Sequence, residues 1–436
     1  MTFAVRPTTL SHRLRLAAAA ALGLATVVAG PVAPAAQAAT APTITAEYFG
    51  THHGRLGDQG WPQTSAIGSI RLWDTGTAWN QIETTPGVYD WRRVDDMVRL
   101  AAAHRSRVLL VLGQTPSFHA VNPAAPGFYG SGATSMPSQT AWKSYVTAAA
   151  VRNKTVWKNA VDFQVWNEAN VSGFWSGSPA EMAALTLWTR AYLNAAGNKT
   201  KLVAPALVTR LYNQQQWIKS FYAQKPGGKN VSSYVDALSF QLYPLATGTP
   251  EDSMALLGKV KTVLKKNKIL KPIYNTEVNY GLVGGAMTGP QANAAPISAA
   301  ARDSNVARTY LLNAQNGVSR VYWYSWDLQG ISNTPMVTSN GTTLTAAGRS
   351  LGVVRSWILG TKPAGCTKAK NGTYTCTFTA GKTVKRAVWK PTGAATKVVA
   401  PKKTSSYITL TGAKRSTKAG KKITVGALPV LLVGRR

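Results

Sequence analysis

Eight short apolar runs alternate with helical stretches along the first three-quarters of the chain. That alternation limits the fold more than any other feature. The runs cover residues 43–50, 69–74, 107–112, 161–168, 201–207, 235–243, 272–277 and 319–327. Most are apolar on both faces, as in Val108-Leu109-Leu110-Val111-Leu112, which suits parallel strands covered by helices. Helix starts stand between them. Ser178-Pro179-Ala180-Glu181 is a capping box with Pro at the first helical position, and Thr249-Pro250-Glu251-Asp252 repeats the design with Asp. Eight strand–helix units match a (β/α)8 TIM barrel, which we assign to residues 40–359. A doubly wound sheet is the alternative, but no Gly-rich phosphate loop follows the first run.

Composition changes near Gly360. The chain of 436 residues carries 49 Lys and Arg against 16 Asp and Glu, a net charge of +33, and every acidic residue precedes Gly360. After it the runs become short and alternating, as in Thr373–Phe378 and Tyr407–Leu410. Residues 360–436 therefore read as a small basic C-terminal β-sandwich. Its cysteines, Cys366 and Cys376, flank Asn371-Gly372. A three-residue loop of Lys370, Asn371 and left-handed Gly372 would put them opposite each other as a disulfide. At the other end, Arg6, Arg13 and Arg15 precede an apolar stretch and an Ala36-Gln37-Ala38 site. Residues 1–38 read as a secretory signal peptide, giving a secreted or cell-wall-associated protein with no membrane span in the mature chain.

Only six residues are Glu, and two of them end strand-like runs. Glu168 closes the fourth, in Trp166-Asn167-Glu168-Ala169-Asn170, and Glu277 closes the seventh, in Tyr274-Asn275-Thr276-Glu277. In a parallel barrel the carboxyl ends of the strands form the mouth where chemistry collects. Both glutamates are flanked by Asn and aromatics, a costly setting for a charge with no task. Two carboxylates across a cleft are what glycosidic cleavage requires: one protonates the leaving oxygen and the other attacks the anomeric carbon or activates water.

These motifs resemble glycoside hydrolase clan A. Arg71-Leu72-Trp73-Asp74, Gln81-Ile82-Glu83, Pro86-Gly87, Tyr89-Asp90-Trp91, and Phe174-Trp175 after the Asn-Glu motif are similar to family 39 and related bacterial matrix-polysaccharide glycosidases. The closing Leu428-Pro429-Val430-Leu431-Leu432 resembles their accessory β-sandwich. The resemblance implies that Glu168 is the general acid/base and Glu277 the nucleophile of a retaining enzyme. It also implies that Arg71 supports the nucleophile and that Asn167 contacts the sugar 2-hydroxyl. Tyr243 is expected to donate to Glu277, and Trp326 to form a platform under the sugar. Ala169 departs from the pattern, since many relatives carry Pro there, which bears on the rigidity of the loop.

Other readings stay open beside this one. Arg71 could instead hold Asp74 in a salt bridge. Trp175, Phe128, Tyr129, Tyr212 and Tyr280 fall in loops after strands and are candidate sugar contacts, as is His119. His52 and His53 follow the first run, but no metal-ligand spacing exists, and no cofactor is needed by two carboxylates and water. The partner is a carbohydrate. The basic tail adds an anionic cell-wall or matrix polymer, whereas no motif for specific nucleic-acid recognition accompanies it. The rival to an enzyme is a catalytically inactive barrel that binds carbohydrate or attaches to a cell surface.

Overall fold

A computed structural model of the chain describes residues 41–436 except 65, 246, 282–296 and 328–332. The expected signal peptide, residues 1–38, lies outside the described residues.

The first nine strands form one parallel sheet: β1 (Phe49–Thr51), β2 (Ser69–Leu72), β3 (Arg107–Val111), β4 (Val161–Gln164), β5 (Leu202–Val203), β6 (Leu207–Val208), β7 (Leu238–Gln241), β8 (Ile273–Val278) and β9 (Val318–Trp323). Their order is β5-β4-β3-β2-β1-β9-β8-β7-β6. The two ends, β5 and β6, are halves of the fifth stave. The break falls at Ala204-Pro205-Ala206, where Pro205 has no N–H to give a neighbour. A parallel bridge from Val203 to Ala237 closes the circle. The result is an eight-stave barrel with the staves predicted from sequence.

Several boundaries differ from expectation. The fourth stave ends at Gln164, so Glu168 follows it rather than closing it, the second ends at Leu72 rather than Asp74, and the sixth is only Leu238–Gln241. The first stave starts at Phe49, because residues 46–48 form a 3-10 turn and Ile44 pairs with Gly360 and Thr361. The last ends at Trp323 rather than Asp327.

Helices cover the outside: α1 (Leu56–Gln59), α2 (Trp79–Ile82), α3 (Arg92–Ala103), α4 (Gln139–Thr155), α5 (Pro179–Ala195), α6 (Tyr212–Ala223), α7 (Pro250–Lys266), α8 (Ala299–Gln315) and α9 (Ala346–Ile358). The Ser178 capping box is complete, with Glu181 returning to the Ser178 N–H at 2.7 Å; at Thr249 only half forms, Asp252 accepting from the Thr249 N–H at 2.8 Å and from its hydroxyl.

The amino-terminal floor of the barrel is an ion network. Buried Asp162 accepts from Arg107 Nη2 at 2.5 Å and from Arg320 Nη1 at 2.9 Å, and Arg320 also pairs with Glu47.

After α9 the chain turns at Gly360 into antiparallel strands. A six-stranded sheet runs β10-β11-β12-β17-β14-β15, and β13 pairs with β16; these strands are β10 (Lys362–Lys368), β11 (Tyr374–Ala380), β12 (Thr383–Trp389), β13 (Thr396–Val399), β14 (Thr404–Thr409), β15 (Lys414–Ser416), β16 (Lys422–Val425) and β17 (Val430–Arg435). Cys366 and Cys376 are register partners joined by a disulfide, and Gly372 turns the hairpin at φ 84°.

The sandwich shares a core with the barrel. Trp357 of α9 lies in one apolar cluster with Phe378, Trp389 and Leu431. Polar ties cross the same seam: Trp389 Nε1 donates to Glu251 at 3.0 Å, and Gln315 Nε2 donates to the Thr377 carbonyl at 2.6 Å. Glu251, read from sequence only as a residue near a helix start, also pairs with Arg308 of α8.

Candidate active site

Arg71 stands at the centre of the barrel mouth. It is fully buried on β2 and spreads its guanidinium across three elements. Nε donates to Gln164 Oε1 at 2.7 Å, Nη2 to Asn167 Oδ1 at 2.7 Å and Nη1 to Glu277 Oε1 at 2.6 Å. A buried guanidinium needs such a complete set of acceptors. Of the two sequence readings of Arg71, the structure brings together the pair with Glu277. Asp74 takes hydroxyls from Tyr129 and Tyr324 instead.

The rest of the frame is polar and buried. Gln164 Nε2 donates to Ser239 Oγ at 2.7 Å, and Ser239 meets Thr276 Oγ1 at 2.7 Å. Gln241 Nε2 gives Asn167 Oδ1 a second donor at 3.1 Å. With its oxygen held twice, the Asn167 amide nitrogen has no protein acceptor among the described residues. His52 sits behind Arg71 with Nε2 2.9 Å from the Thr276 carbonyl. A carbonyl only accepts, so Nε2 carries the proton. Burial and then the Arg71 charge hold the His52 pKa well below its usual value, which keeps the ring neutral.

The two glutamates differ sharply in their partners. Glu277 lies in β8, with Oε1 on Arg71 and Oε2 receiving the Tyr243 hydroxyl at 3.0 Å. Glu168 lies four residues past the end of β4, and its carboxyl has no hydrogen-bond donor among the described residues. Its backbone is left-handed at φ 43°, a conformation costing a non-glycine residue roughly 1–2 kcal/mol. Such strain holds a side chain where an ordinary strand end would not.

Both carboxyls are pushed up by burial. Glu168 rises to about 8, through burial and then repulsion from Glu277. Glu277 rises to about 7, because burial outweighs the opposing Arg71 charge and the Tyr243 and Arg71 hydrogen bonds. The pair titrates together, and its first proton leaves Glu277, where the donors are. Tyr243 and Tyr324 are raised by burial and by neighbouring carboxylates, so both stay protonated and act as donors.

Tyr324 is the aromatic residue of the last stave that reaches the site. Its hydroxyl is 2.9 Å from Asp74 Oδ2, and its ring lies 5.1 Å from His52 and 6.5 Å from Tyr243. The platform expected of Trp326 is not formed. Trp326 is fully buried in the core, with its backbone N–H bonded to the His52 carbonyl. Because β9 ends at Trp323, strand alternation does not carry through to residue 326. Trp175 is also buried, edge-on to Trp166 at 5.2 Å, with Nε1 on the Ser178 carbonyl. His119 is tied to Glu83 at 2.9 Å and stacks on Trp79. Glu83 also accepts from Trp79 Nε1 and the Gly87 N–H, so this cluster braces the loop after β2. His53 pairs with Asp327. Tyr129 joins the mouth through Asp74, while Tyr280 is buried against Thr309, and Phe128 and Tyr212 are exposed.

Sequence reasoning missed Gln164, Gln241, Tyr324 and Arg210. Gln164 and Gln241 were marked by being long polar residues in otherwise apolar runs. Arg210 follows β6, and its guanidinium lies 5.7 Å from the centre of the Tyr243 ring.

Comparison with known proteins agrees with this architecture. Residues 131–351 match the family described as glycosyl hydrolase catalytic core. No curated protein matches the sequence. Among solved structures, the chain is similar to a family 39 β-xylosidase from Caulobacter crescentus, at 14% identity and a TM-score of 0.59 over 91% of this chain and 98% of that one. It is similar to a family 30 endoxylanase from Clostridium papyrosolvens, at 16% identity and a TM-score of 0.55, over 90% and 94%. A conserved exported protein from Bacteroides fragilis matches at 11% identity and a TM-score of 0.62, over 90% and 98%. At these identities the likeness is one of fold. The matched span holds β4, β8, Glu168 and Glu277, and the chain belongs to the glycosyl hydrolase catalytic core family.

Proposed function

We propose that this chain is a secreted retaining glycoside hydrolase, cleaving O-glycosidic bonds of a polysaccharide or oligosaccharide through a covalent glycosyl-enzyme intermediate. The observation that carries the reading is the unequal treatment of the two carboxyls. Arg71 and Tyr243 favour the ionised form of Glu277, and none of the described residues donates to Glu168. At near-neutral pH the pair therefore holds one proton, on Glu168. Glu277 attacks the anomeric carbon while Glu168 gives its proton to the departing glycosidic oxygen. Glu168, now ionised, takes a proton from water, which displaces Glu277 from the anomeric carbon. The free amide nitrogen of Asn167 suits a hydrogen bond to a hydroxyl next to the reacting carbon.

The test is turnover by the purified mature chain on a panel of neutral and acidic glycans, beside Glu168→Gln and Glu277→Gln. We expect one class to be cleaved, with both variants inactive and the first-formed anomer retained in the proton NMR spectrum. Inversion would refute the covalent intermediate. Binding without cleavage, unchanged in both variants, would make the barrel a carbohydrate-binding module.

The sandwich supplies a second contact in this proposal. A cleft of about 800 Å³ lies between β14–β15 and β16, lined by Arg415, Lys418, Lys421 and Lys422 with Tyr407 and Thr424. None of these four cations has an acidic partner among the described residues. They suit an anionic wall or matrix polymer that would hold the enzyme near its substrate.

A further inference from the structure

We infer that Arg210 selects the substrate: it binds an anionic group, most simply the carboxylate of an acidic sugar, on the glycan held at the barrel mouth. This inference rests on the glycosidase reading and names its substrate class.

Five arginines of the barrel, Arg107, Arg152, Arg190, Arg308 and Arg320, are each paired with Asp or Glu. Arg210 is not. Its Nε and Nη1 are buried, and none of its three nitrogens has an acceptor among the described residues. Arg302 and Arg355, on the outer helices, each also leave a buried Nε without an acceptor among the described residues, so it is the unmet pair of donors together with the place of Arg210 at the mouth that points to a partner that arrives later.

The location identifies that partner as substrate. Arg210 is two residues past β6, at the carboxyl end of the split fifth stave. Its guanidinium rests over Tyr243, which bonds the proposed nucleophile. No carboxylate among the described residues pairs with it, although the charge of Arg210 acts on Glu168. A planar guanidinium whose donors are unpaired can hold both oxygens of a carboxylate along one edge, which a neutral hydroxyl cannot match.

The experiment compares oligouronates with the same oligomers after carboxyl reduction, and a sulfated oligosaccharide as a third arm. Wild type, Arg210→Gln and Arg210→Lys are assayed for turnover. Binding of each glycan is measured by calorimetry in the Glu168→Gln background, where a change in the acid's pKa has no effect. The wild type should prefer the uronate. Arg210→Gln should reduce that preference by on the order of 10–100-fold, mainly through KM, and Arg210→Lys should restore part of it. The preference should fall equally in the calorimetric measurement. Preference for the sulfated glycan would move the anion from carboxylate to sulfate and keep the role of Arg210. Equal use of uronate and reduced glycan, or equal losses on both in Arg210→Gln, would overturn the inference and leave the hydrolase intact. Cleavage of nothing, together with calorimetric binding that ignores both the carboxyl group and residue 210, would overturn both.

Discussion

The Tyr243 hydroxyl donates to Glu277 Oε2 at 3.0 Å, although the two residues leave neighbouring staves. With Oε1 on Arg71, both oxygens of Glu277 are occupied, which fixes the carboxylate plane and keeps it ionised. In Tyr243→Phe the ring remains and the donor is lost. We expect kcat to fall by on the order of 10–100-fold. The acid limb of the pH profile should move up, because the neutral form of Glu277 loses a competitor. An unchanged acid limb would mean that the phenol only packs.

The glutamate pair predicts a narrow pH optimum. Activity needs Glu277 ionised and Glu168 protonated. It should fall as pH drops below about 7, where Glu277 takes up a proton, and as pH rises above about 8, where Glu168 loses one. A kcat/KM profile across this window checks it, and a plateau extending well past pH 9 would contradict the role given to Glu168.

Stability should move against activity. The folded-state pKa of Glu168 is raised, so folding binds its proton more tightly, and stability declines as pH rises from the ordinary glutamate value to about 8. Glu168→Gln removes that cost. We expect it to stabilise the protein by about 1–2 kcal/mol above pH 8, less than full linkage because the group is partly open to solvent. The gain should vanish near pH 4, and thermal melts at both values read the difference.

At the opposite end of the barrel the sign reverses. Burial would raise the Asp162 pKa, but Arg107 and Arg320 and the Lys201 N–H more than offset this and lower it. Its stabilisation is present above the ordinary aspartate value and is lost as pH falls through the lowered one. Asp162→Ala leaves Arg320 with Glu47 alone and should cost about 3–5 kcal/mol, measured by urea unfolding at neutral pH.

The basic cleft makes a prediction separable from catalysis. Retention of the enzyme on an immobilised acidic polysaccharide should weaken with salt. It should weaken further when Arg415, Lys418, Lys421 and Lys422 are all replaced by Gln. Retention that survives about 0.5 M salt, where charges act over only a few ångströms, would exclude a charge-driven role for the cleft.

The fold was legible because its signals are local. A run such as 108–112 and a capping box such as Ser178–Glu181 each declare an element without reference to the rest of the chain. Glu168, Glu277, Arg71, Asn167 and Tyr243 could be grouped for the same reason, since a parallel barrel sends the ends of its strands to one place. Trp326 and Trp175 show where that logic stops. Both lie beyond regular structure, where the backbone turns freely and alternation no longer tells which way a ring points. The open donors of Arg210 were invisible for a different reason. An unpaired charge is defined by what fails to surround it, and that requires the assembled fold.

The seam between Trp389, Glu251 and Arg308 has a consequence for how such proteins can be cut and recombined. A truncation at Gly360 would strip the cover from Trp357 and take away the indole that meets Glu251. The remaining barrel would be an incomplete body with a raw apolar flank, prone to aggregate. The C-terminal segment behaves as an outer wall of the barrel, and a chimera that exchanges it must carry the matching faces of α7, α8 and α9 along with it.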